Sequence, residues 1–174
     1  AVNKKVFKKV MFFYKLSGYR LSADEAYLII RGLRTLDVRL KQHYENTKII
    51  INFLKKQKKI KEILYPHIPS SKNYKLWKKY YSGANGLFSV VIKSKKKSSV
   101  VKFVNSLELF GIGYSWGGFE SLVLLQELRT NTKYTQTRKY LRFAKDEHIV
   151  RFHIGLEDPR DLIADLRKSL RYIK

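Results

Sequence analysis

The residue in this chain best placed to do chemistry is Arg151, in the run His148-Ile149-Val150-Arg151-Phe152-His153-Ile154-Gly155-Leu156-Glu157-Asp158. A guanidinium set between Val150 and Phe152 needs an anionic partner, either an internal carboxylate or the carboxylate of a ligand. The second candidate is Gly111-Ile112-Gly113-Tyr114-Ser115-Trp116-Gly117-Gly118-Phe119-Glu120-Ser121-Leu122. Four glycines in this stretch let a backbone turn tightly and come close to a ligand, with a hydroxyl (Ser115) and an indole (Trp116) inside the turn. The same composition also suits a plain connection between two strands. No Gly-Lys-Ser/Thr follows, so it is not a phosphate-binding loop of the Walker type. His43, His67, His148 and His153 lack metal-ligand spacing and read as structural or solvent-exposed. No Ser/His/Asp order and no carboxylate pair suggests a hydrolase.

These residues need elements to position them. The run Leu87 to Ile92 is apolar and β-branched, and His148 to Ile154 alternates around Val150, Phe152 and Ile154; both read as strands. Ile63-Leu64-Tyr65 reads as a short strand stopped by Pro66. Helices are expected over Lys72 to Tyr81 and Ser98 to Leu107. Another is expected over Pro159 to Tyr172, where Asp158 caps, Pro159 fills the first turn and Leu162, Leu166 and Leu170 form a stripe. Ser22 and Glu25 form a capping box ahead of a long helical pattern, Ile29, Leu33, Leu36, Leu40, Tyr44 and Ile51. A single helix over 22–60 follows, with Gly32 its weakest point. The fold class is α/β, a sheet layered with helices.

The chain of 174 residues carries 37 Lys and Arg against 14 Asp and Glu, a formal charge of +23, and no cysteine. Disulfides, thiolate zinc sites and a cysteine nucleophile are thereby excluded. With 44% hydrophobic residues it can build a core. No apolar run reaches membrane-spanning length, and the lysines of Ala1 to Val10 lead into no secretory signal, so a soluble cytoplasmic protein is expected. Of the cations 26 are Lys and 11 Arg, whereas phosphate recognition favours the arginine fork. Lys, Ile, Tyr, Phe and Asn, all with AT-rich codons, are abundant. The charge therefore reads as solvated surface, with a basic nucleic-acid-binding protein as the alternative.

Four blocks occur in one order: Arg31 to Leu36 with Val38-Arg39-Leu40 and His43, Ser82 to Ser89, Tyr114 to Leu122, and Arg151 to Asp158. Together they resemble the C-terminal part of the trans-sulfuration enzymes, which use pyridoxal phosphate (PLP). Ser115-Trp116-Gly117-Gly118 is similar to the cystathionine β-lyases, where γ-lyases and γ-synthases usually carry Ser-Leu-Gly-Gly. The resemblance implies the C-terminal small domain of the fold-type-I PLP-dependent transferase fold with a long N-terminal linking helix. Residues 1–21 would be a remnant of the end of the PLP-binding large domain, 22–60 the linking helix and 61–174 the C-terminal α/β domain. It implies that Arg151 grips the α-carboxylate of an amino-acid substrate, with Ser115 beside that carboxylate and Trp116 shaping the side-chain channel. The reaction implied is a carbon–sulfur lyase step of methionine biosynthesis, cystathionine to homocysteine, pyruvate and ammonia, in a homo-oligomer that contacts neither membrane nor nucleic acid. No lysine here matches the family's Schiff-base context. A truncated chain is therefore expected, one that neither holds PLP nor turns over by itself. Glu127 to Glu147 departs from the family pattern.

Overall fold

The two apolar runs expected as strands pair with each other. In a computed structural model, which describes residues 3–126 and 144–174, β2 (Leu87–Lys93) lies antiparallel to β5 (Glu147–His153), with Phe88 opposite Phe152 and Ser89 opposite Arg151. β1 (Ile60–Leu64) adds antiparallel to β2, and β4 (Leu122–Gln126) antiparallel to β5. The two-residue β3 (Gly111–Ile112) runs parallel to β4 and completes the order β1-β2-β5-β4-β3. Parallel neighbours cannot be joined by a hairpin. Because β3 is so short, the return over residues 113–121 is nevertheless a compact bend.

Alternation divides the sheet. Phe88, Val90 and Ile92 of β2, Val123 of β4, and Val150 and Phe152 of β5 face a core shared with three helices. Those helices are α3 (Leu36–Leu54), through Ile50, Ile51 and Leu54, α5 (Lys97–Asn105), through Val100, Phe103 and Val104, and α6 (Pro159–Leu170), through Leu162 and Leu166. Asp158 caps α6 by accepting the Arg160 N–H at 2.8 Å, and Pro159 follows it, as expected. The fourth helix of this part, α4 (Tyr74–Tyr80), is short and buries no side chain. Arg151 and His153 fall on the opposite parity of β5, away from the Phe152 core.

The chain divides into two compact units, Ala1–Asp37 and Val38–Lys174. The first contains α1 (Lys4–Ser17) and α2 (Ala23–Leu33), neither of which buries a side chain. The sequence reading gave α1 no helix, although Asn3 caps it and Gly18, at φ 68°, closes it. At α2 the Ser22–Glu25 capping box is present on both sides.

The single helix expected over 22–60 is corrected: α2 ends at Leu33, a turn holds Arg34 and Thr35, and α3 ends at Leu54. Thr35 N–H donates to Gly32 O at 3.4 Å, a tightened turn between the residue of lowest helical propensity and a β-branched one three positions on. Beyond Leu54 the lysines turn the chain, and Ile60 is taken by β1, opposite Ile92. Most of the Glu127 to Glu147 segment lies outside the described residues. Among the described residues no helix is long and apolar enough to cross a membrane.

Candidate substrate-binding site

β5 presents Arg151 and His153 on one face, two residues apart, and the bend after β3 arches over both. Arg151 Nη2 donates to the carbonyls of Gly113 (3.1 Å), Tyr114 (2.7 Å) and Ser115 (3.4 Å). Arg151 is half-buried, and its Nε and Nη1 donors find no partner among the described residues. Of the two partners the sequence allowed, the internal carboxylate is absent from the described residues: none of their ion pairs includes Arg151. Backbone carbonyls orient the guanidinium but leave its charge uncompensated.

The structure thus brings Arg151 and Ser115 together through the Ser115 carbonyl rather than its hydroxyl. Trp116 follows at once and stands 57% exposed at the crest of the bend. The chain then turns at Gly117, whose φ of 84° is a left-handed conformation that a side chain would strain. Gly117 N–H donates to His153 Nε2 at 3.0 Å, and Gly118 O lies 3.1 Å from the same nitrogen. A neutral ring accepts from the first or donates to the second, according to its tautomer.

The far side of the bend is fixed by the turn between β5 and α6. Glu157 accepts from Ser121 twice, at Oε1 from the backbone N–H and at Oε2 from the hydroxyl, both at 2.7 Å. Ser121 Oγ in turn accepts the Gly155 N–H at 2.9 Å, and Leu156 N–H donates to Phe119 O at 2.8 Å. Only glycine fits at 155, since a Cβ there would overlap the Phe119 carbonyl oxygen. From α3, Asn46 Nδ2 donates to the carbonyls of Gly155 and Glu157, each at 3.1 Å, and is itself held by Gln42. His43 Nδ1 donates to Ile154 O at 2.8 Å, and its ring lies 5.2 Å from that of His153.

Burial holds His153 below the ordinary imidazole range, and His43 and Arg151 add to this. The Gly118 carbonyl and Glu157 pull the other way. The Arg160 side chain beside Asp158 holds that cap down to about 2.

His153, Ser121, Glu157, His43 and Asn46 were not assigned to the site from the sequence. The signal available was a polar or charged residue on either side of the apolar pair Ile154 and Leu156, next to a glycine. The expectation of a connection between two strands also holds, so the bend is both a connection and the arch over Arg151. Of the histidines, His43 and His153 are buried, while His67 and His148 are half-buried and bonded to the Tyr44 hydroxyl and the Ser94 carbonyl. Among the described residues no cluster could hold a metal ion.

The family described as Cys/Met metabolism PLP-dependent enzymes matches residues 1–171. The chain is similar to an L-alanine/L-glutamate racemase of Wolbachia pipientis wMel, 36% identical over 166 residues, which are 95% of this chain and 40% of that protein. It is 40% identical to a cystathionine beta-lyase of Bordetella avium over 153 residues, 88% of this chain and 37% of that one. Among solved structures it is similar to the cystathionine gamma synthase from Xanthomonas oryzae pv. oryzae in complex with aminoacrylate and cysteine. There the TM-score is 0.79 at 26% identity, covering 99% of this chain and 44% of the other. The chain spans about two-fifths of the length of the curated relatives it matches.

Proposed function

The chain belongs to the Cys/Met metabolism PLP-dependent enzymes, and on that premise we propose that it forms the substrate-carboxylate side of a carbon–sulfur β-lyase. The reaction is the splitting of cystathionine, with one water, into homocysteine, pyruvate and ammonia. The observation that carries this reading is the state of Arg151: half-buried, aimed into the bend by three carbonyls, and without an acidic partner among the described residues. Its remaining N–H donors suit an α-carboxylate, which a guanidinium orients as well as binds. Trp116 beside it gives an apolar wall for the thioether arm of the substrate. Ser115 supplies a hydroxyl at the same edge.

The described residues do not fit PLP. That aldehyde needs an amine in a desolvated pocket. Among the described residues every lysine is exposed except Lys48, which is half-buried and paired with Glu45. This reading therefore assigns the described residues substrate recognition only, with the amine and the phosphate cradle supplied from elsewhere in the holoenzyme. Residues 1–21 as the end of a large domain, 22–60 as the link and 61–174 as the C-terminal α/β domain belong to the same proposal. So do a homo-oligomeric holoenzyme and a cytoplasmic location.

The racemase relative supports a second reading, proton exchange at Cα without loss of the side chain, which needs the same carboxylate grip. Product analysis separates the two. The holoenzyme given cystathionine is expected to release pyruvate, ammonia and homocysteine in equal amounts. Racemised alanine or glutamate, with cystathionine untouched, would overturn the lyase reading.

A further inference from the structure

One strand holds the bend at two points. Arg151 takes the carbonyls of Gly113 to Ser115, and His153, two residues along on the same face, has its Nε2 at the Gly117 N–H and the Gly118 carbonyl. Side chains so spaced stand about 6.8 Å apart, and Trp116 is the residue strung between the two grips. Ser115 O accepts from Arg151, whereas Trp116 is joined directly to Gly117, whose N–H is held by His153. His153 is only 2% exposed, so it meets the bend from its buried side.

We propose that His153 is a positioning residue that, by accepting the Gly117 N–H, fixes Trp116 and thereby sets selectivity for the substrate's side chain. Its role is separate from carboxylate binding, which belongs to Arg151. This proposal rests on the reading of Arg151 as the carboxylate clamp. The neutral ring, as its Nδ1–H tautomer, offers Nε2 as the acceptor that the Gly117 N–H requires. A protonated ring turns an N–H toward Gly117 and drops that bond, keeping only the Gly118 carbonyl. The titratable groups around the ring are His43 on α3, Glu157 beyond β5 and Arg151 on β5 itself. Of these, His43 and Arg151 oppose protonation and Glu157 favours it.

The test uses two substrates in the holoenzyme: cystathionine, with a long thioether arm, and 3-chloroalanine, which has the same α-carboxylate and a small leaving group. His153→Leu is expected to raise KM for cystathionine about ten-fold and KM for 3-chloroalanine less than two-fold. His153→Gln, which retains an acceptor for Gly117, is expected to restore most of the loss. In the same preparations, amide hydrogen exchange over residues 113–118 should accelerate in His153→Leu and return toward wild type in His153→Gln. Should the leucine variant fail to fold, the wild type serves. Its cystathionine KM is expected to rise as pH falls below the imidazole range while that for 3-chloroalanine stays level, and His153→Gln should abolish the difference.

Equal losses on both substrates, or unchanged exchange at 113–118, would overturn the positioning role. Arg151→Ala separates the two failures. If it raises KM for both substrates while His153→Leu raises neither, only the His153 proposal falls. If Arg151→Ala changes neither substrate, the reading of the site falls with it.

Discussion

Arg151 is a cation held by neutral carbonyls. A half-buried cation with no acidic partner among the described residues is a cost to the fold, and a ligand carboxylate offsets it. His153, by contrast, titrates. Its folded-state pKa lies below the unfolded value, chiefly through burial, so the stability it contributes is present above about pH 6.5 and is lost as pH falls through the folded value. His67, lowered by burial and by Lys48, acts with the same sign. The urea midpoint is therefore expected to be level above neutrality and to fall on acidification below it, less steeply in His153→Gln; identical slopes in the two proteins would contradict this. The sequence marked Arg151 by its apolar neighbours, and Ser115 and Trp116 by the glycines around them. It did not mark His153, because the meaning of that residue lies in a bond to a glycine 36 positions away, which no local pattern encodes.

At the scale of elements, the arch over Arg151 depends on the turn after β5 as much as on its own glycines. Glu157, Ser121 and Gly155 close a circuit in which each polar group has a partner, and Asn46 ties that circuit to α3. Gly155→Ala forces a Cβ onto the Phe119 carbonyl and is expected to cost roughly 2–3 kcal/mol, read as a lower urea midpoint together with a raised KM for cystathionine. Wild-type stability in that variant would mean the contact is looser than it stands here. Strands at 87–92 and 148–154, the capped start of α6 and the capping box of α2 were all legible, since caps and apolar periodicity are local signals. Their partners in the sheet were not, because strand order and register come from tertiary packing. The break at Arg34 and Thr35 was legible only as a weakness at Gly32.

Over the whole molecule, the strand register that builds the site also gathers the lysines elsewhere. Ile60 opposite Ile92 and Lys93 opposite Glu147 bring the runs 55–61 and 93–97 to one end of the sheet, whereas Arg151 and His153 stand toward the other end of β5. No arginine occurs in either run, Lys61 is paired with Glu147, and the lysines are exposed, as a solvated surface requires. In the unit formed by residues 1–37, Phe12, Phe13, Leu16, Leu28 and Ile30 are all more than half exposed. Apolar exposure of that kind is what a surface meant for contact carries. Overall charge and composition had bounded the protein without identifying it, and four short blocks did more than the rest of the chain.

The central claim is that Arg151 binds the α-carboxylate, and a cycle on enzyme and substrate tests it most directly. Binding of cystathionine and of its analogue lacking the α-carboxylate is compared in the wild-type holoenzyme and in Arg151→Ala. Loss of the charged contact is expected to weaken binding of cystathionine roughly a hundred-fold, about 3 kcal/mol, while the analogue binds both proteins alike. An analogue that loses as much as cystathionine does, or a variant that binds cystathionine as tightly as the wild type, would contradict the account.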